Sequence, residues 1–286
     1  MESYFKGVRC SMESMNLKIR SLDTHIRRAN IGAPKKVAFL HGFTGSTKTW
    51  EEVITYLPNT VEILAIDLIG HGETASPIDP ARYYVEQQIE DLNELFLQLN
   101  WTDFALVGYS MGGRLALAYA EKYSVSQLIL ESGSPGLEDE EARAERKKAD
   151  EVIANKLIAE DHESFVDFWE SIALFDSQKS LSAEKRQFIR NERLAQSKIG
   201  LSNSLIGFST GVQFSYWGKL AQLDLPILLL TGELDKKFCE IAKQMQKNLP
   251  NAEWIEVKDA GHAIHVEKPE IFATIIKKVI IEEDSQ

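Results

Sequence analysis

Ser110 stands in the sequence GYSMGG, between an apolar run and small residues that favour a helix. With Gly108 and Gly112 it forms the pattern Gly-x-Ser-x-Gly, which is typical of a sharp strand-to-helix turn that exposes the serine oxygen beside a helix N-terminus. Such a hydroxyl can serve as a nucleophile or as part of a base. A serine that merely caps a helix explains the same residues, so the chemical interpretation needs further groups.

A reactive serine needs a histidine to accept its proton and a carboxylate to orient that histidine. Two later segments offer these groups: TGELDKKF contains Glu233 and Asp235, and KDAGHAIHVEKP contains His262 and His265. We favour Asp235 because it lies farther into its loop and its shorter side chain suits a fixed imidazole. We favour His262 because it directly follows a glycine. Ser110, Asp235 and His262 are therefore the predicted catalytic residues.

The segment FLHGFTGS contains the candidate oxyanion hole. The backbone N–H of Phe43 in this turn and the N–H of Met111, the residue after the serine, would face one oxygen. The imidazole of His41 is interpreted as a packing group that stabilises the turn. His71, in DLIGHGETASP, is interpreted as a residue that fixes its own loop.

These groups require a scaffold that brings several strand ends together. Short apolar runs with the length of buried parallel strands occupy residues 35–42, 61–67, 104–110, 127–132, 226–232 and 254–262. Helical patterns lie at 83–100, 111–122, 239–247 and 269–281. This alternation predicts an α/β fold, a mostly parallel central sheet flanked by helices, with the functional groups at the carboxyl ends of its strands.

Residues 135–220 interrupt the alternation, because they contain no strand-like run and are too numerous for a loop. We predict a helical cap over 135–220, inserted into a core made of 17–134 and 221–286. Residues 1–14 are expected to be a tag or a disordered N-terminus that precedes the fold. The expectation for the N-terminus rests on Met1, Met12 and Met15, which precede the first strand-like segment and allow an alternative start.

Composition restricts the classes of function. The chain has 286 residues, 44% of them hydrophobic, and a net charge of −11, which disfavours nucleic acid and anionic membranes as partners. No apolar stretch could span a membrane, and the N-terminal segment lacks the apolar region of a secretory signal, so we expect a cytoplasmic protein. Cys10 and Cys239 lack metal-ligand spacing. We therefore expect two free thiols and no metal site.

In combination, the HG turn, the DLIGHG loop, the serine turn and the ordered acid and histidine loops resemble the α/β-hydrolase superfamily, with a fold of that type. Because the nucleophile position holds serine, dehalogenases and epoxide hydrolases are disfavoured. The segments GYSMGGRLAL, LESGSPGL, FVDFWE, LFDSQKSL and RLAQSKIGLSNSLIGFSTGVQFSYWGKL resemble the family of menaquinone-pathway 2-succinyl-6-hydroxy-2,4-cyclohexadiene-1-carboxylate synthases. This second resemblance depends mainly on the cap, since caps vary widely within the superfamily.

The resemblance implies a lyase that removes a proton from 2-succinyl-5-enolpyruvyl-6-hydroxy-3-cyclohexene-1-carboxylate and eliminates pyruvate. The alternative is a serine carboxylesterase or C–C bond hydrolase of the same fold. A receptor that binds a small ligand without turnover is a further alternative. The lyase requires no cofactor, and its partner is a small polycarboxylate; a monomer or small homo-oligomer would suffice.

A substrate with several carboxylates needs fixed cations. Arg114 lies one turn beyond Ser110 on a helix that we expect to be buried, so we predict that it binds a carboxylate. The resemblance implies a further substrate contact from Arg193 in the cap. It also implies that Tyr109 and Trp169 form walls and hydrogen-bond donors of the pocket, although an aromatic beside the serine could merely pack.

Arg143 and Arg146 in ARAERKKAD are the remaining candidates that the resemblance implies for carboxylate binding. A solvated helix face explains both residues nearly as well. The resemblance favours Arg143, and Arg146 could instead pair with Asp150. The sequence leaves the choice between the two arginines open.

Overall fold

Eight strands form one sheet within residues 12–282, the part of the chain that the computed structural model describes. The strands are β1 (Glu13–Ile19), β2 (Leu22–Ala29), β3 (Lys35–Leu40), β4 (Val61–Ile66), β5 (Ala105–Tyr109), β6 (Gln127–Glu131), β7 (Ile227–Gly232) and β8 (Ala252–Val257). Their spatial order is β1-β2-β4-β3-β5-β6-β7-β8. β2 is antiparallel to both of its neighbours and the remaining pairs are parallel. The predicted mostly parallel α/β sheet is confirmed.

The described residues form ten α-helices, which flank the sheet or lie in the segment between β6 and β7. They are α1 (Glu51–Thr55), α2 (Val85–Gln98), α3 (Met111–Lys122), α4 (Glu140–Ala159), α5 (His162–Ser171), α6 (Ala183–Leu194), α7 (Lys198–Phe208), α8 (Lys236–Asn248), α9 (Ile264–Glu267) and α10 (Pro269–Glu282). The predicted helices appear as α2, α3, α8 and α10 with small shifts at their ends. In α2 a buried stripe that includes Val85, Ile89, Leu92 and Phe96 packs against the core cluster, as its spacing predicts.

The antiparallel hairpin of β1 and β2 was not predicted. β1 begins at Glu13, so residues 13 and 14 pair with β2 and do not belong to a tag or disordered segment; residues 1–11 and Cys10 lie outside the described residues. The hairpin lacks a continuous apolar run because β1 alternates exposed residues with Met15 and Leu17, which pack on the core. The run at 254–262 contains only the end of β8, and the remainder is a loop.

Helices α4 to α7 lie between β6 and β7 and contain a small apolar cluster of their own, made of Ala154, Leu157, Phe165, Val166, Leu201 and Leu205. This cluster supports our proposal that 135–220 is an inserted cap. α7 packs closely on the core: a Cβ on Gly200 would lie 2.0 Å from the carbonyl oxygen of Gly70. The cap therefore covers the carboxyl edge of the sheet.

Within residues 12–282, none of the helices combines the length and the apolar composition needed to cross a membrane.

Candidate active site

Ser110 forms the turn between β5 and α3. Its backbone has φ 50° and ψ −104°, a sparsely populated conformation that costs free energy. Two glycines make the turn possible: a Cβ on Gly112 would lie 2.3 Å from the carbonyl oxygen of Leu40, and one on Gly108 would lie 2.4 Å from that of Gly112. The Ser110 amide donates to the carbonyl of Glu131 at 2.8 Å. The turn is thereby anchored to β6 at the end of the central strands.

His262 joins the serine to a carboxylate. Its Nε2 lies 3.0 Å from Ser110 Oγ, and its Nδ1 lies 2.6 Å from Asp235 Oδ2. His262 and Asp235 are only 1% and 8% exposed. Because a carboxylate only accepts hydrogen bonds, Nδ1 carries the hydrogen and Nε2 is left to face the serine hydroxyl. We refer to these residues as the Ser110–His262–Asp235 chain.

The alternatives from the sequence have other partners. Glu233 Oε2 accepts from the backbone amide of Asp259 at 3.0 Å, so it stabilises the turn after β7. His265 Nδ1 lies 2.8 Å from Glu131 Oε2, away from the serine. The structure therefore brings Asp235 and His262, rather than Glu233 and His265, to Ser110.

Two neutral histidines hold the loops beside the serine. His41 Nδ1 donates to the carbonyl of Gly42 at 2.8 Å, and its Nε2 accepts from the amide of Leu68 at 3.0 Å. His71 Nδ1 donates to the carbonyl of Ile69 at 3.0 Å. Burial lowers the pKa of His41 and lowers the pKa of His71 to about 3. Both imidazoles therefore act as neutral packing groups.

Ser110 opens into a cavity of about 160 Å³ between the core and the cap. Phe43 and Met111, the proposed source of the oxyanion hole, line the same cavity. Met111 is the first residue of α3, and the first amides of a helix have no intrahelical acceptor. The positive end of the α3 dipole also points toward this position. An oxygen next to Ser110 would thus meet a favourable electrostatic environment.

The cavity lining is aromatic and cationic. Its aromatic side chains are Phe43, Tyr109, Trp169, Phe175, Phe208 and Phe238, and its cations are Arg114, Arg146 and Lys237. Among the described residues that line it, none is an aspartate or a glutamate. The lining therefore favours an anionic ligand with apolar parts.

Arg114 is held by neutral groups. Its Nη2 donates to the carbonyl of Phe208 at 2.9 Å, its Nη1 donates to Gln213 Oε1, and its guanidinium lies 4.4 Å from the Phe208 ring centroid. Burial lowers the pKa of Arg114 to about 9, which leaves the group charged at neutral pH. Because these partners carry no charge, the positive charge of Arg114 remains available to a ligand.

The two arginines of α4 differ in position. Arg146 lines the cavity and its Nε pairs with Asp150 Oδ2 at 2.7 Å, a pairing considered from the sequence. Arg143 is not among the described lining residues, although the resemblance favoured it. Its carbonyl oxygen packs against Gly211, where a Cβ would lie 2.7 Å away. The Nε of Arg143 is buried and has no hydrogen-bond partner among the described residues. Arg146 thus lines the cavity, whereas the backbone of Arg143 packs on the loop at Gly211.

Arg193 is not among the described residues that line the cavity. It is 7% exposed, pairs with Glu170 Oε1 at 3.1 Å and lies 4.8 Å from the ring centroid of Phe175. Burial lowers the pKa of Arg193. Arg193 therefore packs against Phe175, which lines the cavity, and its charge is paired with Glu170.

Tyr109 and Trp169 both line the cavity, as expected. The Tyr109 ring packs so closely on Gly42 that a Cβ there would lie 2.5 Å from the ring; burial raises the pKa of Tyr109, so its hydroxyl is neutral. Trp169 packs edge-on against Phe43 with 5.1 Å between ring centroids. Within residues 12–282 its buried Nε1 has no hydrogen-bond partner, which leaves a donor free beside the cavity.

Sequence reasoning missed Lys237 and Thr210. Lys237 lies in the first turn of α8, closely following Asp235, and the segment DKKF was the available signal for it. Thr210 lies in the loop after α7, and its buried hydroxyl lacks a hydrogen-bond partner among the described residues. No local pattern distinguishes this threonine from an ordinary loop residue.

Over the described range, no three or more His, Cys, Asp or Glu side chains are grouped in a way that could hold a metal ion. Cys239, the described cysteine, is a buried free thiol.

Known proteins are similar to this chain in sequence and in fold. The family model of the alpha/beta hydrolase fold matches residues 37–269. A protein of Bacillus subtilis (strain 168), described as a putative 2-succinyl-6-hydroxy-2,4-cyclohexadiene-1-carboxylate synthase, is 43% identical over 87% of this chain and 91% of its own length. A protein of Enterobacter sp. (strain 638) with the name of the same synthase is 30% identical over 85% of this chain and 91% of its own length.

Solved structures are also similar to this chain. The structure of MenH from S. aureus superposes with a TM-score of 0.87 at 35% identity and covers 91% of this chain and 99% of its own. An esterase from Exiguobacterium antarcticum, 22% identical with a TM-score of 0.79, covers 94% of this chain and 99% of its own and shares the fold alone. The chain therefore belongs to the α/β-hydrolase fold family and, within it, to the family of 2-succinyl-6-hydroxy-2,4-cyclohexadiene-1-carboxylate synthases.

Proposed function

We propose that this protein is a carbon–oxygen lyase of menaquinone biosynthesis. It converts 2-succinyl-5-enolpyruvyl-6-hydroxy-3-cyclohexene-1-carboxylate into 2-succinyl-6-hydroxy-2,4-cyclohexadiene-1-carboxylate and pyruvate. The observation that carries this proposal is the Ser110–His262–Asp235 chain, which opens into a cavity with three cations and no acidic residue in its described lining. The names of the relatives support the same reaction.

The substrate has three carboxylates, and its binding would use the cations of the cavity. Arg114, Arg146 and Lys237 bind carboxylates in this proposal. Trp169 donates its free Nε1 hydrogen, and Tyr109 forms the wall beside the serine. The aromatic lining packs against the cyclohexene ring. The cap thereby positions the ring with its reacting carbon near Ser110.

The reaction begins with removal of the proton on the ring carbon that carries the succinyl ketone. Ser110 takes this proton and passes its own to His262, which Asp235 orients. The oxygen of the resulting enolate accepts hydrogen bonds from the amides of Phe43 and Met111. The electron pair then forms a double bond between this ring carbon and its neighbour, the existing ring double bond shifts by one position, and the C–O bond to the enolpyruvyl group breaks. Enolpyruvate leaves and takes up a proton to become pyruvate.

Release of pyruvate is the direct test. The purified protein is mixed with the enolpyruvyl substrate, and pyruvate formation is followed together with hydrolysis of short p-nitrophenyl esters. Stoichiometric pyruvate at catalytic rates supports the lyase. Rapid ester turnover without pyruvate would assign the serine hydrolase instead, and tight binding without release of any product would indicate a receptor.

The proposal includes the cytoplasm as the site of the reaction and a monomer or small homo-oligomer as the form of the protein. Light scattering after size-exclusion chromatography measures that form. A polycarboxylate is the proposed partner, and neither nucleic acid nor a membrane takes part.

A further inference from the structure

A second hydroxyl–imidazole–carboxylate arrangement lies beside the site. His265 Nδ1 is 2.9 Å from Glu131 Oε1 and 2.8 Å from Oε2, and its Nε2 is 2.8 Å from Thr49 Oγ1. The backbone amide of His265 also donates to Glu131 Oε1 at 3.0 Å. The side chains of His265 and Glu131 are both 0% exposed. We refer to these residues as the Thr49–His265–Glu131 chain; the proposed reaction uses none of them.

A carboxylate at residue 131 needs an explanation. Glu131 ends a central strand whose other residues are buried, so an apolar side chain could occupy this position without the cost of removing a carboxylate from water. Its partners belong to the loop that carries His262. The cost of burial is therefore offset by bonds that fix the conformation of this loop.

The end of β6 also contacts both sides of the Ser110–His262 hydrogen bond. The carbonyl of Glu131 accepts from the amide of Ser110 at 2.8 Å. The next residue, Ser132, donates from its hydroxyl to the carbonyl of His262 at 2.9 Å. Residues 131 and 132 thus hold the serine turn through the main chain and the histidine loop through their side chains.

We propose that the Thr49–His265–Glu131 chain is a positioning element for the reaction. Its carboxylate fixes residues 260–267 so that His262 Nε2 stays within hydrogen-bonding distance of Ser110 Oγ. Glu131 and His265 are positioning residues, because they act through the loop and do not touch substrate. The kinetic part of this inference rests on the proposed function, whereas the structural part does not.

The test compares Glu131→Gln with Glu62→Gln. Glu62 is a matched control, since it is 3% exposed, bonds to Arg28 and accepts from the amide of Gly32 at 3.1 Å. It lies near the start of β4, at the edge of the sheet opposite the site. Each variant replaces one buried carboxylate of the sheet by an amide of equal size.

For Glu131→Gln we expect kcat for pyruvate release to fall by about 10-fold to 100-fold with KM changed by less than about twofold, because misplacement of a catalytic group slows the chemical step. Hydrogen exchange of a peptide that spans 260–267 should accelerate. Glu62→Gln should lower the melting temperature while its kcat and the exchange of that peptide stay at the wild-type level. Equal kcat in the two variants, at equal folded fraction, would overturn the proposal.

Thr49→Val gives a second measurement if Glu131→Gln does not fold. This substitution keeps the shape of the side chain and removes the hydrogen bond to His265 Nε2. We expect kcat to fall by about threefold and the exchange of 260–267 to increase. Unchanged exchange in Thr49→Val would contradict the role of the chain. If the wild-type protein releases no pyruvate, the proposed function fails, but hydrogen exchange still decides the positioning role.

Discussion

The Ser110–His262–Asp235 chain and the Thr49–His265–Glu131 chain use the same chemical groups at nearly the same distances. The hydroxyl lies 3.0 Å from Nε2 in the first chain and 2.8 Å in the second. The Tyr109 ring contacts both imidazoles, with centroids 5.4 Å from His262 and 4.6 Å from His265. In the first chain the hydroxyl opens into a cationic cavity, whereas in the second the imidazole packs against Trp50 and is fully buried. Access, rather than distance, separates the two roles.

A third arrangement supports the same lesson. His25 Nδ1 lies 2.7 Å from Asp67 Oδ2, and its Nε2 lies 2.7 Å from Ser14 Oγ. Asp67 also accepts from the amides of Thr47 and Glu73. The pair of His25 and Asp67 therefore helps to hold the loops after β3 and β4. A hydroxyl, an imidazole and a carboxylate in series thus fix loops at two places in this protein outside the cavity.

The strongest test of the difference between the two chains is to remove the hydroxyl of each, because the expected losses in kcat differ most. We expect Ser110→Ala to lower kcat for pyruvate release by about 10⁴-fold, since it removes the group that meets the substrate proton. Thr49→Val should lower it by about threefold. The measurement is steady-state pyruvate release with circular dichroism as the check on folding. Comparable losses in both folded variants would end the distinction between an open and a closed chain.

Arg114 and Arg193 allow the same comparison between a group that lines the cavity and a group that lies behind its wall. Arg114→Gln should lower kcat/KM by about 100-fold, because a charge-assisted bond to a carboxylate contributes about 2 to 3 kcal/mol. Arg193→Gln is the matched control, as Arg193 pairs with Glu170 behind the wall. Arg193→Gln should lower the free energy of unfolding, and it should lower kcat/KM much less than Arg114→Gln does. A larger kinetic loss in Arg193→Gln would place the substrate carboxylates deeper in the cap than we propose.

The histidines without a carboxylate partner should affect stability rather than catalysis. The folded-state pKa of His71, about 3, lies below its ordinary value of 6.5, so as the pH falls below 6.5 the unfolded chain gains a proton that the folded chain does not. His71 therefore contributes a loss of about 1.4 kcal/mol in the free energy of unfolding per pH unit in that window.

Urea denaturation at pH 7, 6 and 5, values chosen to bracket the ordinary histidine pKa of about 6.5, measures this slope. His71→Asn should flatten it, whereas His162→Asn, at a half-exposed cap residue, should change it less. A slope that is the same in the wild type and in His71→Asn would show that this imidazole is protonated in the folded protein.

The smallest difference between two paired variants is expected for two tryptophans. Trp169 and Trp50 each have a buried Nε1 without a hydrogen-bond partner among the described residues, but Trp169 lines the cavity and Trp50 packs on His265. Trp169→Phe should raise KM by about fivefold, the effect of about 1 kcal/mol. Trp50→Phe should leave KM unchanged. An unchanged KM in Trp169→Phe would remove the indole from the proposed substrate contacts.

Much of the core could be predicted from local sequence. The apolar runs that became β3 to β7 are buried on both faces, so they read as continuous hydrophobic segments. The hairpin of β1 and β2 could not be found in this way, because one side of each strand faces solvent or polar partners. Its pairing depends on a neighbour, β4, that is distant in the chain.

The order of Ser110, Asp235 and His262 along the chain was sufficient to propose that they meet. Each follows a parallel strand, and the carboxyl ends of parallel strands lie at one edge of a sheet. The turn at Ser110 could be predicted from its glycines, of which Gly108 leaves room for the turn itself and Gly112 leaves room for the end of β3.

Which cations face the cavity, and which carboxylate pairs with His265, depended on contacts between distant segments. The sequence of α4 left the choice between Arg143 and Arg146 open, and the folded structure places Arg146 in the cavity lining. Glu131 and His265 meet because β6 and the last loop share an edge of the sheet. Continuous apolar runs identify the buried central strands because both faces of these strands are covered, whereas the direction and the charge environment of a side chain depend on contacts with segments that are distant in the chain.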